Sequence, residues 1–244
     1  MINPQEFSEF AASRRSVRDF LPTPIDQGTM DAILTDAMTA PSWSNTRPYL
    51  VAIASGAQRA RISRELLSRN KALAAAQTGG WMAKLRLLAT FKSWPISDYR
   101  IVRPYPKELA VRSGRIGKAL YALLGVERGD AVGRAKQWQR NYEFFGAPTE
   151  LFIFTHSGLG EYSASDAGLF MQNLMLSAHA RGLGTCAQGS VAIWARPIHR
   201  EFEIPKGYKL LCGIAIGYAS ADPVNSFRAE RLDLSEIVAP SVIL

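Results

Sequence analysis

A sheet with helices on both sides is the fold class that this sequence predicts. Three apolar runs of strand length, at residues 49–54, 151–155 and 209–218, alternate with segments of helical spacing and show no strict strand–helix–strand rhythm. With 47% hydrophobic and 20% charged residues, the 244-residue chain can bury a sizeable core. No internal repeat or low-complexity linker divides it, so residues 1–244 read as a single domain.

The elements follow from local signals. Asn3 before Pro4 reads as an N-cap with proline at the first helical position, and Glu6 completes a capping-box pattern. Phe7, Phe10 and Ala11 then share one helical face. A second helix starts after Asp26, where Met30, Ile33, Leu34, Ala37 and Met38 keep helical spacing until Pro41 stops it. Residues 58–68 read as helix. Residues 166–181 form a long helix with Leu169, Phe170, Asn173, Leu174 and Ser177 on one face, stopped by Gly182. A short strand at 184–187 and a helix across 194–202 precede the last strand. The stretch from about 71 to 140 is basic and aromatic and reads as an inserted helical or lid segment. Within it Trp81, Leu85 and Leu88 have helical spacing, Trp94, Pro95, Tyr105 and Pro106 suggest an irregular loop, and 116–124 suggests a helix. Trp81, Trp94, Tyr99 and Tyr105 could stack on a planar ligand, with Arg100 and Arg103 attracting acidic ones; equally, the aromatics could simply cover the sheet.

The net charge of +8 favours anionic ligands without choosing among them, and no block of like charges marks a nucleic-acid tail. Two distant cysteines, Cys186 and Cys212, give neither a zinc spacing nor a secreted disulfide framework. The N-terminus lacks the apolar core of a signal peptide, and no run is long enough to span a bilayer, so a cytoplasmic protein is expected. No Gly-x-Gly-x-x-Gly opens a helix after a strand, and neither a P-loop nor a Gly-x-Ser-x-Gly elbow occurs. His156, His179 and His199 lack metal-ligand spacing. His179 reads as a partner of a helix dipole, and Cys186 as a small buried hydrophobe.

Four stretches remain. Arg14, Arg15, Ser16 and Arg18 gather three guanidinium forks and a hydroxyl, which suit a phosphate dianion. Pro41, Ser42, Trp43, Ser44 and Asn45 offer short polar groups and one stacking ring between a helix and a strand. Residues 182–190, ending in Gln188, Gly189 and Ser190, contain glycines that let backbone approach a ligand. Arg228 and Arg231 add charge in the tail. Ordinary surface basicity, a plain Ser/Asn turn and a helix cap leading into a strand are the alternatives for each stretch taken alone.

Their ordered combination resembles the nitroreductase family of flavin enzymes. Members carry Arg-Arg-Ser-x-Arg near the N-terminus and Ala-Pro-Ser-x-x-Asn-x-Gln-Pro-Trp about two dozen residues later. A Gly-Leu-Gly segment precedes the last strands, and a basic residue lies near the C-terminus. Here Phe144-Phe145-Gly146-Ala147-Pro148 also looks like the segment before a core strand in many members. The resemblance implies an α+β fold with a central, mostly antiparallel sheet flanked by helices, an intertwined homodimer, and FMN at the dimer interface. It places Arg14 and Ser16 at the phosphate, with Arg15 beside them, Arg231 joining and Arg228 assisting. It places Arg18 at the pyrimidine side of the ring, and Gln188, Gly189 and Ser190 near the reactive nitrogen. Pro41, Ser42, Trp43 and Asn45 would come from the other subunit. Arg47 stands where glutamine is common and Tyr49 where tryptophan is common. A glutamate-glycine pair seen beside the ring in some members is absent; Ser190 and Val191 lie near that place.

The implied activity is reduction of nitroaromatic or quinone-type acceptors with NAD(P)H, with the redox chemistry on FMN and no side-chain general acid. The acceptor is a small aromatic, and neither nucleic acid nor a membrane is an expected partner. A related flavin-dependent dehalogenase, flavin reductase or dehydrogenase is the alternative within the family. A basic module binding anions or nucleic acid without catalysis is the alternative outside it.

Overall fold

The three strand-length runs and the short stretch after Gly182 all become strands. The computed structural model describes residues 3–78, 95–101 and 103–241. Among these, β1 (Tyr49–Ser55), β2 (Thr149–His156), β3 (Gly184–Gln188) and β4 (Tyr208–Gly217) form one antiparallel sheet in the order β1-β2-β4-β3. The expected mostly antiparallel α+β architecture is observed.

Period-two alternation divides the apolar side chains between two faces. Tyr49, Leu151, Ile153, Cys212, Ile214 and Ile216 pack under α2 (Gln27–Ala37) and a long helix, Glu161–Ala180, through Met30, Ile33, Phe170 and Leu174. On the other face Phe152, Phe154 and Leu210 meet Ile62 and Leu66 of α3 (Gly56–Thr78), and Tyr142, Phe144 and Trp194 from two turns. The sheet is therefore the middle of three layers, with a core on each side.

The capping signals act as expected. Asn3 Oδ1 accepts from Gln5 N at 2.8 Å at the start of α1 (Pro4–Ser13), and Asp26 Oδ1 accepts from Thr29 N at 2.8 Å at the start of α2. On the face shared by Phe7, Phe10 and Ala11, Phe7 is 53% exposed. Gly182, at φ +74°, ends the long helix, and Leu183 N returns to Ala178 O at 2.9 Å. The predicted helix across 194–202 instead divides into a 3-10 turn, Ser190–Trp194, and one short helix, Ala195–His199.

The expected insertion is partly continuous with the domain, because α3 runs past Lys71 to Thr78. Trp81, Leu85, Leu88 and Trp94 lie outside the described residues. Residues 95–101 are fastened to the sheet: Asp98 Oδ2 accepts from Leu210 N at 2.7 Å and lies 2.7 Å from His199 Nε2. Tyr99 covers the sheet, its hydroxyl 2.8 Å from Thr155 Oγ1. Two helices follow, α4 (Lys107–Leu123) and α5 (Ala131–Gln139), the second capped by Asp130 through Gly133 N at 2.8 Å. The long helix is α6 and the short one α7. No described helix is long and apolar enough to cross a membrane.

Candidate cofactor site

After α1 the chain leaves the helix in extended conformation and runs along the free edge of β3. Ser16 forms a parallel bridge with Thr185, and Val17 N donates to Thr185 O at 3.0 Å. Gly184 permits this approach, since a Cβ there would lie 2.5 Å from Val17 Cγ2. Alternation along the extended segment separates Arg14, Ser16 and Arg18 from Arg15 and Val17. Val17 is buried in the core. Arg14, Ser16 and Arg18 all lie close enough to act on the Cys186 thiol.

Two further arginines close on this segment. Arg14 is held below the ordinary guanidinium range by partial burial and then by the charge of Arg231. Arg15 is lowered by burial and then by Arg228, while its Nε donates to Asn225 O at 2.6 Å. Arg228 and Arg231 turn their NH1 groups onto nearby backbone carbonyls. None of these five arginines has a carboxylate ion-pair partner among the described residues. Like charges gathered in this way favour an anion between them.

At the C-terminal end of β3, the buried Gln188 donates from Nε2 to Asn141 O at 2.8 Å, and its Oε1 has no protein partner. The Ser190 hydroxyl is likewise buried and unpartnered. Gly189 lies between them, at the start of the turn Ser190–Trp194. Next to Arg18, Cys186 and Ala187 opens a cavity of about 410 Å³, walled by Tyr121 of α4, Trp138 of α5 and Asn141. Cationic forks at one end and unpartnered polar groups at the other fit a planar, phosphorylated group such as FMN.

Pro41, Ser42, Trp43 and Asn45 are not brought to this place within one chain. Trp43 N donates to Asp166 Oδ2 at 3.0 Å, and the Trp43 ring packs on Tyr162 with centroids 4.2 Å apart, both at the first turns of α6. Ser13, next to Arg14, instead touches His179 at the last turn of α6, with Ser13 Oγ 2.6 Å from His179 Nε2. At 1.5 Å per residue these attachment points are roughly 20 Å apart along the helix. The loop itself is sharply formed: Ser44, Asn45 and Arg47 have φ of 50°, 56° and 46°, left-handed values uncommon outside glycine. Ser42 Oγ accepts from Arg47 N at 3.0 Å and holds the turn closed.

The expected helix-dipole role of His179 is corrected. Burial first, then Arg15 and Arg14, push its pKa down, which favours the neutral ring. It hydrogen-bonds Ser13 and stacks on Phe10 at 5.1 Å, docking α1 onto α6. Cys186 is buried as expected, and burial raises its thiol to about 11.

Three residues were not anticipated from the sequence. Asn225 ties the tail to the arginine segment through both ends of its carboxamide. Asn141 positions Gln188. Glu150 is completely buried on β2, with neither carboxylate oxygen hydrogen-bonded. It shares a cross-strand row with Ala54, Ala215 and Cys186 and reaches over Gly213, where a Cβ would sit 2.1 Å from its Oε1. A polar side chain within an otherwise apolar strand was the available signal for Glu150; Asn225 and Asn141 gave none.

A family model described as "Nitroreductase family" matches residues 11–218. A 4-nitrobenzoate reductase of Pseudomonas putida is 35% identical over 231 residues, covering 93% of this chain and 91% of that protein. The structure is similar to that of the FMN and NADPH-dependent nitroreductase NfnB from Sphigopyxis sp. strain HMH, with TM-score 0.83, 28% identity and coverage of 97% and 99%. It is also similar to the FMN-dependent nitroreductase NfnB from Mycobacterium smegmatis in complex with NADPH, with TM-score 0.80, 30% identity and coverage of 98% and 99%. The chain thus belongs to the nitroreductase family.

Proposed function

We propose that this protein is an FMN-dependent oxidoreductase that uses NAD(P)H to reduce nitroaromatic or quinone-type acceptors. The observation that carries the reading is the line of Arg14, Ser16 and Arg18 along β3. It is joined by Arg231 at one end and leads toward the unpartnered Gln188 Oε1 and Ser190 Oγ at the other. The relatives named above, a 4-nitrobenzoate reductase and two FMN-dependent nitroreductases, support the same chemistry.

FMN supplies the hydride-accepting and hydride-donating centre. Arg14 and Ser16, with Arg231, bind its phosphate; Arg15 and Arg228 add positive potential behind them. Arg18 would hold the pyrimidine end of the ring and, from its partly buried position, would stabilise negative charge there. The backbone N–H of Gly189 or Ser190 would hold the ring on the side of its reactive nitrogen. The reading calls for no side-chain general acid, with protons for the product coming from solvent.

The functional unit is a homodimer in this reading. Pro41, Ser42, Trp43 and Asn45 lie too far from Arg14 along α6 to serve the same cofactor in one chain. A second copy supplies them across the interface. Mixing Arg14→Ala and Asn45→Ala variants under exchange conditions tests this part: heterodimers with one intact site regain activity, and absence of regain contradicts it.

The activity itself is tested by releasing the cofactor from purified protein, identifying it by chromatography, and measuring nitroarene-dependent oxidation of NADPH and NADH. FMN and turnover are expected. A colourless protein without turnover after addition of FMN contradicts the reading.

A further inference from the structure

The cavity beside Arg18 has a larger neighbour. Where the end of α4 turns into α5, Lys118, Arg128 and Arg134 line a second cavity of about 710 Å³, together with Ala122 and Val126. Tyr121 lines both cavities. Lys118, Tyr121 and Ala122 share one helical face, while Leu120 and Leu124 present the adjoining face to the Arg18 cavity. Lys118, Arg128 and Arg134 have no carboxylate ion-pair partner among the described residues, and Glu127 is the one acidic residue of the lining. The second cavity therefore combines an excess of positive charge, an aromatic ring and small apolar side chains. None of these features is needed to hold FMN.

We infer that this second cavity binds the 2′-phosphoadenosine end of NADPH while the nicotinamide enters the cavity beside Arg18. The inference rests on the proposed flavin reading and extends it to the choice of donor. Arg128 and Arg134 offer planar forks that match a phosphate dianion, and Lys118 adds a point charge. Tyr121, at the wall between the two cavities, offers a face for adenine. NADH lacks the 2′-phosphate and forfeits the charge-assisted contacts, so the protein favours NADPH. The α4–α5 segment that the sequence marks as an insertion thus acts as the donor-specificity element.

The test uses flavin-loaded protein and two nucleotide fragments, adenosine 2′,5′-bisphosphate and adenosine 5′-monophosphate. By calorimetry the bisphosphate binds at least about tenfold more tightly, and the Arg128→Ala/Arg134→Ala variant loses that difference. In turnover, the ratio of kcat/KM for NADPH over NADH falls by about ten- to a hundredfold in the same variant. Arg128 is exposed and Arg134 half-buried, and an unchanged thermal midpoint confirms folding. Equal binding of the two fragments to the unmodified protein overturns the inference, as does an unchanged donor ratio in the variant. Failure of the flavin reading has a different signature: the unmodified protein oxidises neither donor. The fragment comparison decides the cavity in that case too.

Discussion

Asn225 Oδ1 accepts the backbone N–H of Arg18 at 2.8 Å, joining residues 207 positions apart. The same oxygen lies 3.3 Å from Asp19 N, and Nδ2 donates to Asp19 O at 2.7 Å and Ser220 O at 3.1 Å. One buried carboxamide thus fixes the backbone that carries Arg18 and anchors the tail that carries Arg228 and Arg231. Arg140 secures the other side through Asp19 Oδ1 at 2.5 Å. Arg15 is held at the same junction, its Nε donating to Asn225 O at 2.6 Å.

Asn225→Ala leaves buried backbone groups without partners. The expected loss is about 1–3 kcal/mol, a fall in Tm of roughly 2–12 °C, with weaker FMN retention. Thermal unfolding and cofactor titration check this. A variant with unchanged Tm and unchanged FMN affinity shows that the junction is dispensable.

Arg14→Ala removes one fork from the phosphate end. FMN affinity falls by about 1.5–3 kcal/mol, one to two orders of magnitude, while riboflavin affinity changes much less. Fluorescence titration of the apoprotein with each flavin measures the difference. Equal losses for both flavins count against a phosphate contact.

Arg18→Ala acts at the ring. It makes no core cavity, so the fold is retained, but the flavin is bound more weakly or reduced more slowly because growing charge at the pyrimidine end loses its counter-ion. Stopped-flow reduction by NADPH compares the two proteins, and identical rates with identical flavin content refute the role.

Glu150 links stability to pH. Complete burial raises its carboxyl well above the ordinary 4.5, more than the nearby charge of Arg59 lowers it, so the folded state holds a proton that the unfolded chain releases. Its contribution therefore weakens as pH rises above about 4.5 toward the raised folded value. Glu150→Gln removes that dependence and is more stable than the parent at pH 8 relative to pH 5. Urea unfolding at the two pH values reads the effect; parallel behaviour of both proteins contradicts a buried neutral acid.

Burial also silences the thiols. With Cys186 raised to about 11 and Cys212 to about 12, roughly one thiol in a thousand or fewer is ionised at pH 8. Native protein is expected to resist a thiol-specific disulfide reagent at pH 8, whereas unfolded protein reacts at both cysteines. Rapid reaction of the native state would show that one thiol is open.

Local chemistry made much of this legible. The caps at Asn3 and Asp26, the stop at Gly182 and the four strands follow from signals within a few residues. The arginine segment was conspicuous because charge and a hydroxyl are concentrated in five positions. Asn225 and Asn141 were invisible because each acts through contacts distant in sequence, which no periodicity records. His179 was misread because its position on α6 is local, whereas its partners Ser13, Arg14 and Arg15 belong to another element. Of the two uses open to Tyr99, the fold takes the cover of the sheet, while Tyr121 and Trp138 take the cavity wall.

The most direct measurement is an anaerobic titration of the purified protein followed by visible absorbance. A yellow protein is expected, whose flavin band bleaches on addition of NADPH and returns on addition of a nitroarene, with the nitro group reduced in proportion to the donor oxidised. A flavin band that NADPH and NADH leave unchanged, or a reduced protein that a nitroarene does not reoxidise, would contradict it.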